Sequence, residues 1–157
     1  MDKIKKILIV CTGNSCRSVM AEGYLGKRLK EEKIDGVLVA SAGAGAMGGF
    51  HPTEETVKIM KEESIDVSGY VSSALDKSRV DNADVILAME PLHKERIESI
   101  SPGSGKKVFL LREFSSEKDK KNISIDDPIG KDTGFYREVF AVIKNSIEGF
   151  IKKCLKK

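Results

Sequence analysis

Residues 7–22 read ILIVCTGNSCRSVMAE: an aliphatic run, a short polar turn and the start of a helical pattern. The run from Ile4 to Val10 has the near-continuous apolar character of a strand buried on both faces. Ser18 is a favourable N-cap. Behind it, Met20, Ala21, Tyr24, Leu25 and Leu29 recur at helical spacing over Val19 to Lys33, and Gly36 closes that helix.

The same alternation continues outward. Val37 to Ala40 reads as a second strand and SAGAGAMGG, residues 41–49, as a loop. Thr53 caps a helix to about Glu63, with Glu54 and Glu55 at its positive end. DVILAM, residues 84–89, is a third strand, and Pro91 starts a short helix to about Ser99. Lys107 to Leu111 is a fourth strand. Residues 112–132 form a long charged segment without periodicity, a length that compact domains keep for functional or mobile loops. Thr133 opens a final amphipathic helix with Phe135, Val139, Val142, Ile143, Ile147, Phe150 and Ile151 near one face. Strands alternating with helices predict an α/β fold: one three-layer domain over residues 1–157, a four-stranded parallel sheet with helices on both faces. Ligands of such sheets bind beyond the carboxyl ends of the strands, where Cys11 falls.

Composition narrows the function. The 157 residues are 40% hydrophobic and 32% charged, ordinary for a soluble globular chain. The 27 Lys and Arg against 24 Asp and Glu leave a net charge of +3, too balanced to indicate nucleic acid. Its basic excess lies largely in the end segments KIKK and KKCLKK, which read as solvated tails. No apolar run approaches the roughly 18 residues of a membrane span. Three cysteines without a framework spacing predict a reducing, cytoplasmic setting and a catalytic or free thiol.

The turn itself has the makings of an anion trap. Backbone N–H groups between a strand end and a helix start point inward, and the helix adds its positive end. Gly13 and Asn14 tolerate backbone conformations that other residues resist. Arg17 can close the nest with a bidentate contact to two oxygens of a phosphate or similar oxyanion. In that setting Cys11 lies under the bound phosphorus, favoured as a thiolate by the helix end and the nearby cation, with Ser18 as a hydrogen-bond donor to it. A phosphocysteine formed there is then hydrolysed by water. Alone, a cysteine at a strand end is a small buried hydrophobe; Gly13, Asn14, Arg17 and Ser18 in this context reverse that preference.

Departure of the leaving group calls for an acid. IDDPIG, residues 125–130, supplies Asp127 ahead of Pro128, which stiffens the segment. Asp-Pro alone is an ordinary turn and gains meaning only beside the cysteine loop. His51 and His93 have no metal spacing around them and read as surface or capping residues. SAGAGAMGG lacks the Lys-Ser/Thr ending of a nucleotide cradle and reads as a wall of the site. No cofactor or metal is called for.

CTGNSCRS with MAE behind it, SAG at 41–43, DVILAM and DDP at 126–128 resemble, in matching order and over nearly the whole chain, the low-molecular-weight protein tyrosine phosphatase family. The resemblance implies cofactor-free hydrolysis of a phosphorylated protein, with Cys11 as nucleophile, Arg17 holding phosphate and Asp127 as general acid and then base. Thr12, Gly13, Asn14, Ser15, Cys16 and Ser18 are implied to form the substrate-binding loop. Cys16 matches a second loop cysteine that can trap an oxidised nucleophile as a disulfide, and Tyr70 stands where the family has a histidine against the loop Asn.

Three branches share this loop. Tyrosine phosphatases tend to carry a branched aliphatic residue at Ser15, arginine phosphatases a threonine, and thioredoxin-coupled arsenate reductases a serine. Arsenate reduction needs two further cysteines after the third strand, where this chain reads LAMEPLHKERI. A non-catalytic phosphate-binding module would be favoured by loss of Cys11 or Arg17, and both are present. Ile129, Gly130, Met47 and Phe50 stand where other members place aromatic walls. They leave a looser pocket that admits phosphotyrosine and also phosphoarginine.

Overall fold

The structure, a computed structural model, describes residues 3–117 and 122–156. Four strands, β1 (Lys6–Cys11), β2 (Leu38–Gly43), β3 (Val85–Ala88) and β4 (Val108–Leu110), form one parallel sheet in the order β2-β1-β3-β4. Among the described residues five helices connect and follow them: α1 (Arg17–Glu31), α2 (Glu54–Glu62), α3 (Lys77–Asn82), α4 (Pro91–Ile100) and α5 (Thr133–Phe150), the last continued by a π-helical turn at Ile151–Leu155.

β1 is central, so its side chains meet apolar partners on both sides. Ile7 and Ile9 face one layer with Leu87, against Met20, Leu25 and Leu29 of α1 and Phe140, Ile143 and Ile147 of α5. Leu8 and Val10 face the other with Ile86, Ala88 and Val108, against Val80 of α3 and Ile97 of α4. Each of these residues is at most 5% exposed, and burial of one such aliphatic side chain is worth roughly 1.5–3 kcal/mol. The expected α/β architecture with a four-stranded parallel sheet is therefore the observed one.

Several boundaries differ from the sequence expectation for identifiable reasons. α1 begins at Arg17 with Cys16 in the N-cap position, because the Ser18 hydroxyl is engaged elsewhere. It ends at Glu31, where Lys33 takes a left-handed conformation (φ 54°) and the Ile34 amide bonds back to the Leu29 carbonyl. Gly36 (φ 80°) serves the turn into β2 instead of closing the helix. β2 runs three residues further than expected, through Gly43. Asp84 precedes β3 and uses its carboxylate to accept from the amides of Lys5 and Lys6, both at 2.8 Å. α3 was not anticipated; it is six residues long with only Val80 buried, too short to show a period. In the segment 112–132, a 3-10 turn covers Leu111–Phe114, and residues 118–121 lie outside the described residues.

Candidate active site

The segment from Cys11 to Ser18 joins the carboxyl end of β1 to the first turn of α1. Cys11 is buried, and its sulfur lies 2.9 Å from the Ser18 Oγ and 3.3 Å from the Asn14 backbone N–H, which donates to it. Asn14 fixes which way the Ser18 proton points. Its Nδ2 donates to Ser18 Oγ at 2.7 Å, so the serine hydroxyl is left to donate to sulfur. Two donors thus converge on Sγ.

Asn14 takes the left-handed conformation (φ 52°) that the turn demands, a region in which Asn is less penalised than most residues. Fully buried, it has every amide position filled. Nδ2 also donates to Ser41 Oγ at 3.0 Å, while Oδ1 accepts from the Ser73 amide at 2.8 Å and the Tyr70 hydroxyl at 3.1 Å. Tyr70, which stands in place of the family's histidine, still reaches the loop asparagine, and it also bonds Ser41. Behind this cluster, burial pushes the Glu22 carboxyl above its ordinary value, partly offset by a hydrogen bond with Ser41. Gly43 of the SAG segment lies against the loop: a Cβ there would sit 2.7 Å from the Thr12 carbonyl oxygen, 2.6 Å from Ala46 Cβ and 3.0 Å from Asn14 Cβ. The Gly45 amide donates to that same carbonyl at 2.9 Å. The glycine-rich stretch is thus packed against the loop.

Arg17 is 2% exposed and joins three segments. Its Nη1 donates to Glu90 Oε2 and to the Ile125 carbonyl, both at 2.7 Å, and Nη2 lies 3.7 Å from Asp127 Oδ2. The Ile125 amide in turn bonds the Met89 carbonyl at 3.0 Å, fastening the Asp-Pro segment to the end of β3. Asp127 Oδ1 accepts from the Ile129 amide at 3.1 Å in a turn around the buried Pro128, and its side chain is 44% exposed. The two ends of the sequence motif, 110 residues apart, are brought together through the guanidinium.

Cys16 points to another neighbourhood. Its sulfur lies 3.5 Å from the Tyr136 hydroxyl of α5, 3.6 Å from Thr53 Oγ1 and 3.7 Å from Ser15 Oγ. Thr53 is the expected N-cap of α2, accepting from the Thr56 amide, and its own amide donates to the Ser15 carbonyl at 3.2 Å. Ser15 is half-buried. Around the loop, exposed apolar side chains come from the segment after β2 (Met47, Phe50), from α4 (Leu92) and from beyond Asp127 (Ile129).

Sequence reasoning missed Glu90 and His93. His93 is fully buried, so of its expected roles only capping holds: its Nδ1 accepts from the Glu90 amide at 3.1 Å. That fixes the ring proton on Nε2, which donates to Thr12 Oγ1 at 2.8 Å. Burial, then the Arg17 charge, push its pKa down to about 4, so the ring is neutral at pH 7. The Glu-Pro-x-His pattern at the start of α4 was the available signal, since it places an acceptor, a helix-starting proline and a reciprocal partner at capping positions.

Comparisons with known proteins give one family. The family model described as low molecular weight phosphotyrosine protein phosphatase matches residues 6–157. EpsP of Ralstonia solanacearum, described as a probable low molecular weight protein-tyrosine-phosphatase, is 33% identical over 150 residues, 96% of each chain. Among solved structures, the tyrosine phosphatase AmsI of Erwinia amylovora superposes with a TM-score of 0.87 at 26% identity, covering 98% of this chain and 95% of its own. The YwlE arginine phosphatase of Geobacillus stearothermophilus gives 0.82 at 34% identity, covering 94% and 91%.

Proposed function

The chain belongs to the low molecular weight protein tyrosine phosphatase family, and from that premise we propose how its loop carries out phosphate-ester hydrolysis. The Cys11 thiolate attacks phosphorus in line with the leaving oxygen, forming the S–P bond as the P–O bond breaks. Arg17 and the loop's backbone N–H groups other than that of Asn14, which donates to Cys11 Sγ, hold the equatorial oxygens, whose charge they offset in the transition state. Asp127, protonated, gives its proton to the departing phenolate. As carboxylate it then takes a proton from the water that attacks the phosphocysteine, releasing inorganic phosphate and the thiolate. Neither step calls for a cofactor.

The observation that carries this reading is the pair of donors on Cys11 Sγ, from Ser18 and the Asn14 amide, with Arg17 reaching from the same loop towards Asp127. The substrate is a phosphorylated protein side chain. The exposed Met47, Phe50, Leu92 and Ile129 suit a phenyl ring. A second substrate, phosphoarginine, is supported by the small polar Ser15 in the loop and by the likeness to an arginine phosphatase. The three free thiols suit a reducing, cytoplasmic setting, in which peroxide could couple Cys11 to Cys16.

The test is phosphate release from phosphotyrosine and phosphoarginine peptides by wild type, Cys11→Ser and Asp127→Ala. Cys11→Ser is expected to be inactive on both, and Asp127→Ala slowed about 10²- to 10⁴-fold, as loss of a general acid predicts. Full turnover by Cys11→Ser rules out the phosphocysteine. The ratio of the two wild-type rates decides between the substrates.

A further inference from the structure

One capping turn reaches both ends of the phosphate loop. At the start of α4, Glu90 and His93 are bonded to each other twice: the Glu90 amide donates to His93 Nδ1 and the His93 amide to the Glu90 carbonyl at 3.0 Å. Each side chain then grips a different loop residue. His93 Nε2 donates to Thr12, immediately after the nucleophile, and the Glu90 carboxylate receives Arg17. The His93 ring is fully buried, so its orientation is set by packing as well as by these bonds. The Glu90 side chain is itself only 26% exposed.

We propose that His93 is a positioning residue of the catalytic loop, acting through Thr12, with Glu90 setting Arg17 from the same turn. The proposal rests on the reading of Cys11–Ser18 as the catalytic loop. Its physical content is that a buried, single-tautomer donor fixes the Thr12 side chain, and with it the backbone next to the attacking sulfur. Misplacement there on the scale of an ångström costs rate through lost alignment. Arg17, Glu90 and Asp127 are the charged groups that face the ring.

The two nitrogens of His93 have separate jobs, and substitution can separate them. An asparagine amide reaches where Nδ1 was and can keep the cap, but it is too short for Thr12. A glutamine amide reaches where Nε2 was and can keep the loop bond while losing the cap. For His93→Asn, kcat on a phosphotyrosine peptide is expected to fall about tenfold with little change in KM or in the thermal midpoint. For His93→Gln, kcat stays within about threefold while the midpoint falls. Adding His93→Asn to Thr12→Val should cost little more than Thr12→Val alone, because the bond is already gone.

An unimpaired kcat in His93→Asn overturns the proposal, as does loss of rate in both variants merely in proportion to their lost stability. Cys11→Ser is run alongside. Turnover by that variant overturns the reading of the site itself. An inactive Cys11→Ser beside a fully active His93→Asn overturns only the positioning role.

Discussion

At the scale of single residues, the site shows what a tight turn around an anion requires. Asn14 is both the left-handed residue of the turn and the hub that orients Ser18 towards sulfur. Gly43 is the counterpart on β2, where any Cβ would press on the Thr12 carbonyl, Ala46 and Asn14. Those neighbours are backbone or short side chains and cannot swing aside. Gly43→Ala should therefore push the loop away from β2, lowering kcat/KM at least tenfold and stability by about 1–3 kcal/mol. Steady-state kinetics beside thermal unfolding would check this, and an unchanged kcat/KM would show that the loop tolerates the shift. Cys11, Arg17 and Asp127 stood out in the sequence as candidates because strand, turn and helix carry local signals and the Asp-Pro pair is distinctive. His93 and Ser41 were not, since their partners lie 81 and 27 residues away, and no local pattern encodes a tertiary hydrogen bond.

At the scale of elements, the long apolar strands and helices could be read directly, whereas the pieces held by one or two contacts could not. α1 and α5 repeat their buried positions often enough to reveal a period and β1 is a near-continuous apolar run, whereas α3 buries Val80 alone. The end of α1 was misread because Lys33 takes the left-handed position usually given to glycine or asparagine. α5 hides a comparable constraint at Gly149, in a run that looks like any helical stretch. There the Phe114 backbone runs so close that an added Cβ would lie 1.8 Å from its carbonyl oxygen and 2.9 Å from its carbonyl carbon. This approach lets the turn after β4 dock on α5, where the Phe114 and Phe150 rings meet edge to face at 5.3 Å. Gly149→Ala should separate the two and cost about 3 kcal/mol or more, above the small gain in helix propensity. Because this contact lies outside the phosphate loop, kcat per folded molecule should hold. A chemical denaturation midpoint equal to that of wild type would refute the close approach.

At the scale of the whole molecule, the titratable groups with shifted pKa values set how stability responds to pH, and they pull in opposite directions. His93 has a folded pKa of about 4 against an ordinary value of 6.5. Between those values the unfolded chain binds a proton that the native ring refuses, so native stability falls as pH drops from 6.5 towards 4 and falls no further from this group below that. Glu22, raised by burial, works the other way: its contribution is present below its ordinary value of 4.5 and is lost as pH rises through its folded pKa. Glu148, held low by Arg28, loses its stabilisation only below its ordinary value of 4.5, and Asp84, held low by the amides of Lys5 and Lys6, only below 3.8, so both act at the acid edge of the His93 window or beyond it. The decline between pH 6.5 and about 4.5 is therefore assigned mainly to His93. The shift corresponds to about 2–3 kcal/mol. His93→Gln, which cannot titrate, should start less stable than wild type at pH 7 and converge on it by about 2 kcal/mol at pH 4. Urea unfolding of both proteins across that range measures the difference, and a gap that stayed constant with pH would mean that His93 is not the group whose protonation the fold resists.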